Sequence, residues 1–376
     1  LIAEAGVRLI VPEKFWAFWD ATTAWQLDPE LGWVQKANLN LIRRRPDRPD
    51  FMRLQTNSDG IYPSTAQRER TPGHLRILMI GDSAVAGIAV PGDQRVNSAL
   101  ERALRSAGVN AEVLNAGVNG YSTDQELLLL KRLVPLYHPD IVTLCIVDND
   151  FGGNESRWEY GLPKPMFTLD SRGMLRLVAP DMSGAKLPTD NQILRRWLVR
   201  SALWRMVQPY LFVVRAKLMK WQERNVLGMP ETYYDSEVLQ KVNWNLLAAM
   251  LQEMDRFSRA NGASFLVYLH PAVAEVWDPY ISNLQRRLRL KPGQYDIYAI
   301  QNPIVQITNQ SRIAFCPMID FFRARQAEGP FHLLPRDPHC NETGYRLQAE
   351  ALAGCLISTG AIKKARITVS SPCLRW

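Results

Sequence analysis

The chain is poor in cysteine and has no long apolar run. Its 376 residues include five cysteines, an odd number without Cys-x-x-Cys spacing, so the sequence favours neither a disulfide framework nor a zinc site. No stretch approaches the roughly 20 apolar residues that cross a bilayer. Internal repeats and low-complexity tracts are also missing, and 47% hydrophobic with 22% charged residues is ordinary globular usage. These features exclude a disordered, collagenous or coiled-coil protein and predict a folded body with a sizeable core.

The formal charge of +8 is concentrated in two segments. Residues 191–224 carry eight cations against Glu223 alone, and residues 361–376 add four more. Because segment 191–224 interleaves its cations with aromatic and aliphatic side chains, three interpretations stay open: helices packed on the domain, a lid over the active site, or a face in contact with a membrane surface. The sequence contains no known nucleic-acid-binding motif beside these basic segments, so we expect no nucleic-acid partner.

From Leu75 onward, apolar runs alternate with amphipathic segments. Strands that are apolar on both faces and alternate with helices are typical of a parallel sheet covered on both sides. The alternation breaks between about 151 and 234, which predicts an insertion, and residues 1 to about 70 look irregular. The predicted strands are 75–80, 112–114, 141–147, 263–269 and 313–319, and the predicted helices begin near 96, 122, 239 and 343.

Residues that could act in catalysis follow the first, second, third and fifth of these predicted strands. They are Ser83, Gly120, Asn149, Asp337 and His339. In open α/β sheets, ligands bind beyond the carboxyl ends of the strands, so we expect these loops to converge. A serine hydroxyl is a weak nucleophile until an imidazole removes its proton, and a carboxylate fixes the tautomer of that imidazole. The set therefore predicts nucleophilic catalysis.

The segments around Ser83, Gly120, Asn149 and His339 resemble the four sequence blocks, named for their Ser, Gly, Asn and His, of the SGNH (GDSL-type) hydrolase superfamily, in a bacterial member with an N-terminal extension. The resemblance is close over residues 75–154 and 331–356 and looser over 28–33 and 56–60. It implies a three-layer α/β/α fold with a five-stranded, parallel, flavodoxin-like sheet and a helical insertion. It also implies a catalytic triad of Ser83, His339 and Asp337, and an oxyanion hole formed by the Ser83 and Gly120 amides with the Asn149 side chain. Neither a cofactor nor a metal is expected.

The resemblance implies a serine-dependent ester hydrolase that forms an acyl-enzyme on a small-molecule or carbohydrate acyl ester, such as an O-acetylated sugar. Two alternatives stay open: an O-acyltransferase that acts on a carbohydrate hydroxyl, and a catalytically silent binding module. Two departures from the family pattern bear on this choice. Val147 stands where the third block usually has glycine, and Asp337 precedes His339 by two residues, as in the branch that contains polysaccharide O-acetyltransferases.

The predicted domain organisation has three parts. Residues 1–73 form an extension that packs on the core, residues 74–360 form the hydrolase domain with an insertion at about 154–234, and residues 361–376 form a basic tail. Residues 1–8 resemble the segment that follows a membrane anchor in bacterial relatives. We therefore expect a bacterial protein that is tethered to the membrane and faces outward; the sequence predicts no oligomeric state.

Several other polar residues have simpler explanations. Gln125 and Glu126 are placed to cap the helix that begins near Ser122. His270 is expected to be a satisfied loop histidine, and Cys145 a buried, inert thiol. The remaining histidines are expected to be structural or solvent-exposed; they are His74, His138 and His332.

Overall fold

The structure is a computed structural model. It describes residues 2–10, 24–44, 51–63, 65–187, 201, 203, 239–288, 295–333 and 337–362. Nearly all of the basic segment 191–224, and residues 363–376 of the basic tail, lie outside the described residues. Lid formation and membrane contact by segment 191–224 therefore stay predictions, as do the domain boundaries.

Strands alternate with helices where the central sheet forms, and short hairpins lie outside it. The strands are β1 (Trp25–Asp28), β2 (Gly32–Gln35), β3 (Asn40–Arg44), β4 (Phe51–Gln55), β5 (Leu75–Ile80), β6 (Ala111–Asn115), β7 (Ile141–Ile146), β8 (Trp158–Glu159), β9 (Leu162–Pro163), β10 (Met166–Leu169), β11 (Leu175–Val178), β12 (Ser264–Leu269) and β13 (Ala314–Cys316). The helices are α1 (Ile2–Ile10), α2 (Ser83–Ala86), α3 (Val96–Ser106), α4 (Thr123–Tyr137), α5 (Asp150–Gly153), α6 (Trp244–Ala260), α7 (Val273–Val276), α8 (Asp278–Leu288), α9 (Gln301–Ser311), α10 (Ile319–Arg323) and α11 (Glu342–Ser358).

Five parallel strands form the central sheet in the order β6-β5-β7-β12-β13. The first of them, β5, lies between β6 and β7, so the chain reverses its direction of winding beside β5. This is the flavodoxin-like order, in which ligands bind at the carboxyl end of the reversal point. The predicted fold is confirmed. The last strand is shorter than expected because Ile319, the last residue predicted for it, begins helix α10 instead.

Helices cover both faces of this sheet. Leu78 and Ile80 of β5 pack into one apolar cluster together with leucines of α4 and α6, whereas Ile77 and Met79 pack into a second cluster with α3 and α11. Successive side chains of a strand point to opposite faces, so burial of both sets requires two helical layers. Among the described residues, no helix combines the length and the apolarity that a membrane crossing requires.

The regions outside the central sheet contain short antiparallel hairpins. In the N-terminal extension β1 pairs with β2, and β3 pairs with β4. Trp25 and Trp33 of the first hairpin are fully buried in the same cluster as β5, so this hairpin adds to the core. The described part of the insertion forms two further hairpins, β8 with β9 and β10 with β11, where the sequence had suggested helices.

A disulfide bond links Cys316 to Cys355, with a Cα–Cα distance of 5.7 Å. The expectation that the cysteines form no disulfide framework was wrong for this pair. Cys316 ends β13 and Cys355 lies in α11, and these two elements pack together although the cysteines are 39 residues apart in sequence. Of the other cysteines, Cys145 and Cys340 are buried free thiols, and Cys373 lies outside the described residues.

Removal of the disulfide should lower the free energy of unfolding by about 3–4 kcal/mol, the entropic cost of closing a 39-residue loop. The double variant Cys316→Ala/Cys355→Ala tests this by urea unfolding. Cys145→Ala is the control, because it removes a buried sulfur without opening a loop and should cost about 1 kcal/mol. Equal losses in the two variants would contradict the prediction.

Candidate active site

Ser83 lies in a tight turn at the carboxyl end of β5. The strand ends at Ile80, and α2 begins at Ser83 with Asp82 as its N-cap, whose Oδ1 accepts a hydrogen bond of 2.8 Å from the Ala84 amide. Only glycine fits at position 81, because a Cβ there would lie 2.3 Å from Val85 Cγ2. The turn therefore presents a partly exposed Ser83 hydroxyl on a helix start that is fixed by its cap.

A continuous chain of hydrogen bonds runs from Ser83 to Asp337. Ser83 Oγ lies 2.7 Å from His339 Nε2, and His339 Nδ1 lies 2.5 Å from Asp337 Oδ1. A carboxylate can only accept, so Nδ1 carries a proton and Nε2 is left to accept the Ser83 hydroxyl. Asp82 Oδ2 is a competing acceptor for that hydroxyl at 3.1 Å. The shorter bond to His339 is the better path for the proton.

Backbone pairing holds the loop that carries His339. His332 and Cys340 form an antiparallel bridge, and the Leu333 amide donates to the His339 carbonyl at 2.9 Å. Beyond the bridge, Asn341 caps the N-terminus of α11. The imidazole is therefore attached to a short segment that is fixed at both ends.

Opposing effects set the protonation of His339. Burial lowers the pKa of the imidazole, but the hydrogen bond and negative charge of Asp337, together with the charge of Asp82, outweigh it, and the net pKa is raised. Burial also raises the pKa of Asp82, while its bond to the Ala84 amide and the charge of His339 oppose that shift. An imidazole with a raised pKa is a stronger base toward a serine proton.

The loop after β6 lies directly against the turn that carries Ser83. The Val118 amide donates to the Gly81 carbonyl at 3.0 Å. A Cβ at Gly117 would lie 2.2 Å from the Ala86 nitrogen, so only glycine lets this loop approach α2 so closely. These contacts bring the second predicted block beside the first.

Gly120 ends this loop in a left-handed conformation with φ of +78°. A Cβ there would meet the ring of Tyr160 at 2.2 Å, so both the backbone angle and the packing require glycine. The preceding carbonyl, that of Asn119, accepts a bond of 3.1 Å from Trp33 Nε1. The N-terminal extension and the insertion thus both contact the segment that was predicted to supply an oxyanion donor.

Asn149 lies just after β7, at the start of the short helix α5. The loop is closed by Asp150, whose amide donates to the Val147 carbonyl at 3.1 Å and whose Oδ2 accepts from the Val147 amide at 3.0 Å. Val147 therefore takes the place of the usual glycine in a tight, hydrogen-bonded turn. The Asn149 side chain is partly exposed and does not cap its own helix.

The structure thus links three of the five predicted residues, Ser83, His339 and Asp337, by direct hydrogen bonds. Gly120 and Asn149 lie on the loops that leave β6 and β7, the two strands on either side of β5. Asp320, a second carboxylate that follows the last strand, is exposed and accepts a hydrogen bond from the Tyr298 hydroxyl. It is not part of this chain.

Residues 79–347, well over half of the chain, match the GDSL-like lipase/acylhydrolase family. The chain belongs to this family. It is therefore a hydrolase that acts on ester bonds. No curated protein matches the chain.

Several solved structures resemble this GDSL-like hydrolase at low identity. The lipase/acylhydrolase from Enterococcus faecalis is 11% identical, with a TM-score of 0.40 over 76% of this chain and 96% of that one. The esterase EstA from Pseudoalteromonas sp. is 12% identical, with a TM-score of 0.37 over 76% and 97%. The acetyl xylan esterase AlAXEase is 12% identical, with a TM-score of 0.39 over 74% and 98%.

Sequence reasoning missed a group of buried carboxyl groups behind the site of this GDSL-like hydrolase. Asp124 and Lys164 form a fully buried ion pair, and Lys164 Nζ also donates to the Gly153 carbonyl at 2.9 Å. Burial, partly opposed by the charge of Lys164, raises the pKa of Asp124 to about 6. The pair joins the insertion to the first turn of α4.

Glu126 does not cap α4, contrary to expectation. Both of its carboxyl oxygens are buried and have no hydrogen-bond partner among the described residues, and Gln125 Nε2 donates instead to the Leu31 carbonyl at 2.8 Å. Burial and the nearby charge of Asp150 raise the pKa of Glu126; burial and the charge of Asp82 raise that of Asp150. In both groups burial disfavours the charged form. Three consecutive polar residues, 124–126, at the start of a leucine-rich helix are the sequence signal that could have indicated this burial.

Asp337→Asn should lower kcat by up to about 10⁴-fold, because an amide favours the wrong imidazole tautomer. The pH profile should change as well. The reactive form of His339 is neutral, so in the wild type kcat/KM should rise with pH through a pKa above the ordinary value of about 6.5. Without the Asp337 charge, this acid limb should move to lower pH.

Asp320→Asn is the matched control, since it makes the same change on an exposed carboxylate that bonds to Tyr298. Steady-state rates from about pH 5 to 9 measure both variants. A collapse of kcat in Asp320→Asn, with Asp337→Asn nearly silent, would overturn the assignment of Asp337.

Proposed function

We propose that this protein hydrolyses acyl esters through a covalent acyl-enzyme on Ser83. The observation that carries the proposal is the unbroken hydrogen-bond path from Ser83 Oγ through His339 to Asp337, with distances of 2.7 and 2.5 Å. Nucleophile, base and orienting group are the three parts that nucleophilic catalysis by serine requires. Family membership supports the same chemistry.

In the acylation step, Ser83 Oγ attacks the acyl carbon while its proton passes to His339 Nε2. The carbonyl oxygen becomes an oxyanion in the tetrahedral intermediate. When the intermediate collapses, the bond between the acyl carbon and the alcohol oxygen breaks, and the alcohol leaves with the proton from His339. Asp337 stabilises the imidazolium that exists between these two transfers.

The oxyanion requires donors that already point at it before the reaction begins. We assign this role to the amides of Ser83 and Gly120 and to the side-chain amide of Asn149. All three lie at the carboxyl edge of neighbouring strands. The Asp82 cap fixes the loop of Ser83, the bond from the Val118 amide to the Gly81 carbonyl fixes that of Gly120, and the Asp150 turn fixes that of Asn149. Fixed neutral donors need little reorganisation when the charge develops.

Water completes the reaction. His339 removes a proton from a water molecule that attacks the acyl carbon, and Ser83 leaves as the alcohol with that proton. A sugar hydroxyl in place of water would make the protein an O-acyltransferase. Product analysis with and without added sugar separates the two: hydrolysis predicts free acid as the main product under both conditions, and dominant transfer to the sugar would contradict it.

We propose an acylated carbohydrate as the substrate class. Two aromatic side chains of the β8-β9 hairpin are largely exposed, Trp158 at 59% and Tyr160 at 55%, and Tyr160 lies against Gly120. A partly exposed ring beside Gly120, such as that of Tyr160, provides an apolar face with a polar rim, which suits a sugar ring. Activity on acetylated sugars that falls strongly in Tyr160→Ala, but not on p-nitrophenyl acetate, supports this assignment.

Ser83→Ala should abolish ester turnover while leaving the unfolding transition unchanged, because a partly exposed hydroxyl contributes little to the core. Wild type mixed rapidly with p-nitrophenyl acetate should gain one acetyl group, which peptide mass spectrometry locates on Ser83. Ser98→Ala, a serine on α3 that bonds to the Gly92 carbonyl, is the control and should behave as wild type. More than a few per cent of residual rate in Ser83→Ala would mean that another residue is the nucleophile.

Asn149→Ala should lower kcat by about 100- to 1000-fold with little change in KM, the usual cost of losing one preorganised oxyanion donor. Steady-state kinetics on a soluble ester measure both constants. Asn302→Ala, on the exposed side of α9, controls for loss of an amide elsewhere and should be silent. An effect confined to KM would show that Asn149 binds the substrate without stabilising the oxyanion.

A further inference from the structure

Two histidines and a cysteine converge at the base of the loop that carries His339. His270, His332 and Cys340 each offer one ligand atom, and these atoms lie within 4.8 Å of one another. The residues are buried, with exposures of 7%, 2% and 0%. None of them takes part in the hydrogen-bond chain from Ser83 to Asp337, because both ring nitrogens of His339 are already engaged there.

Backbone pairing fixes all three positions. The His270 amide donates to the Ile146 carbonyl at 2.8 Å, which continues the pairing of β12 with β7. His332 and Cys340 are partners in the antiparallel bridge. The imidazoles of His270 and His332 meet edge to face, with centroids 6.2 Å apart. The cluster therefore does not depend on the rotamer of a surface side chain.

Each of the two imidazoles has a ring nitrogen without a hydrogen-bond partner. The Nδ1 atoms of His270 and His332 are buried and have no hydrogen-bond partner among the described residues. A buried nitrogen without a partner is unfavourable, because it has lost its hydrogen bond to water. A bound species that accepts lone pairs removes this cost.

The tautomer of His332 is set for metal binding. Its Nε2 lies 2.9 Å from the Pro271 carbonyl, which can only accept, so Nε2 carries the proton and Nδ1 holds the lone pair. Metal-binding histidines characteristically donate their second nitrogen to a carbonyl or carboxylate in this way. Pro271 follows His270 directly, so one loop both supplies a ligand and orients the other.

We propose that His270, His332 and Cys340 bind a Zn²⁺ ion. Two imidazoles and a thiolate suit this borderline cation, and hard ions such as Mg²⁺ and Ca²⁺ prefer oxygen ligands. Tetrahedral zinc keeps nitrogen and sulfur ligands about 3.3–3.7 Å apart, so the cluster needs to contract by about 1 Å. The thiol proton of Cys340 is released to solvent on binding, and water fills the fourth position.

Zinc at this site would connect β12 to both sides of the bridge that holds His339. Because the ion binds the folded cluster and not the separated residues, it stabilises the folded state. The absence of Cys-x-x-Cys spacing in the sequence does not conflict with this site, since its ligands come from three separate segments.

Binding is measured on the full-length protein in buffer without reductant or chelator, so that Cys316–Cys355 stays oxidised. Isothermal titration calorimetry should show that the wild type binds one Zn²⁺ ion. Zn²⁺ should raise its melting temperature, and Mg²⁺ and Ca²⁺ should neither bind nor change that temperature. With Co²⁺ it should show a near-ultraviolet charge-transfer band from the thiolate. Failure of the wild type to bind Zn²⁺ overturns the proposal and leaves an ordered water as the partner of the two Nδ1 atoms.

Four variants locate the ion. Cys340→Ala should lose the cobalt band, and His270→Gln should weaken zinc binding by at least about 100-fold; the second variant keeps the test decisive if the first folds poorly. Cys145→Ala, the other buried free thiol, should bind as wild type. Loss of binding in His339→Ala, with full binding in Cys340→Ala and His270→Gln, overturns the proposal in favour of adventitious zinc at the triad.

Discussion

The hydrogen bond between Ser83 and His339 joins residues that are 256 positions apart in sequence, and both sides of it are rigidly supported. Ser83 follows the central strand β5 through a turn that Asp82 caps. His339 belongs to a loop held by the bridge between His332 and Cys340. A hydrogen bond weakens steeply when its angle or length departs from the optimum. The contact therefore depends on close packing at the carboxyl edge of β5.

The same edge concentrates buried charge, which is costly unless it is paired or neutralised. Lys164 of the insertion pairs with Asp124 in the first turn of α4, and this ion pair is one physical reason for the insertion to remain attached to the core. Glu126 and Asp150 form no ion pair among the described residues, and burial together with the charges of neighbouring carboxylates raises the pKa of both. Asp150 nevertheless shapes the loop of Asn149, because its second oxygen accepts from the Val147 amide.

The strands of the central sheet could be predicted from the sequence because they are buried on both faces. Such strands appear as unbroken apolar runs, and β5, β7 and β12 begin and end within about a residue of their predicted bounds. Strand β13 was overestimated because Ile319 continues an apolar pattern that helix α10 also requires. The hairpins between Trp25 and Gln55, and those between Trp158 and Val178, were not predicted. Their strands are two to five residues long, too short for alternation to be distinguished from irregular sequence.

The sequence by itself determined the fold class, the order of the chemical blocks and the candidate residues Ser83, Gly120, Asn149, Asp337 and His339. Only the tertiary structure decided that Asp337 bonds the imidazole while Asp320 bonds Tyr298. It also decided that Cys316 meets Cys355, that Glu126 is buried instead of capping its helix, and that His270, His332 and Cys340 converge. Periodicity and capping patterns report on neighbours within a few residues. Contacts between segments tens to hundreds of residues apart depend on strand order and on how helices pack, and no local pattern contains that information.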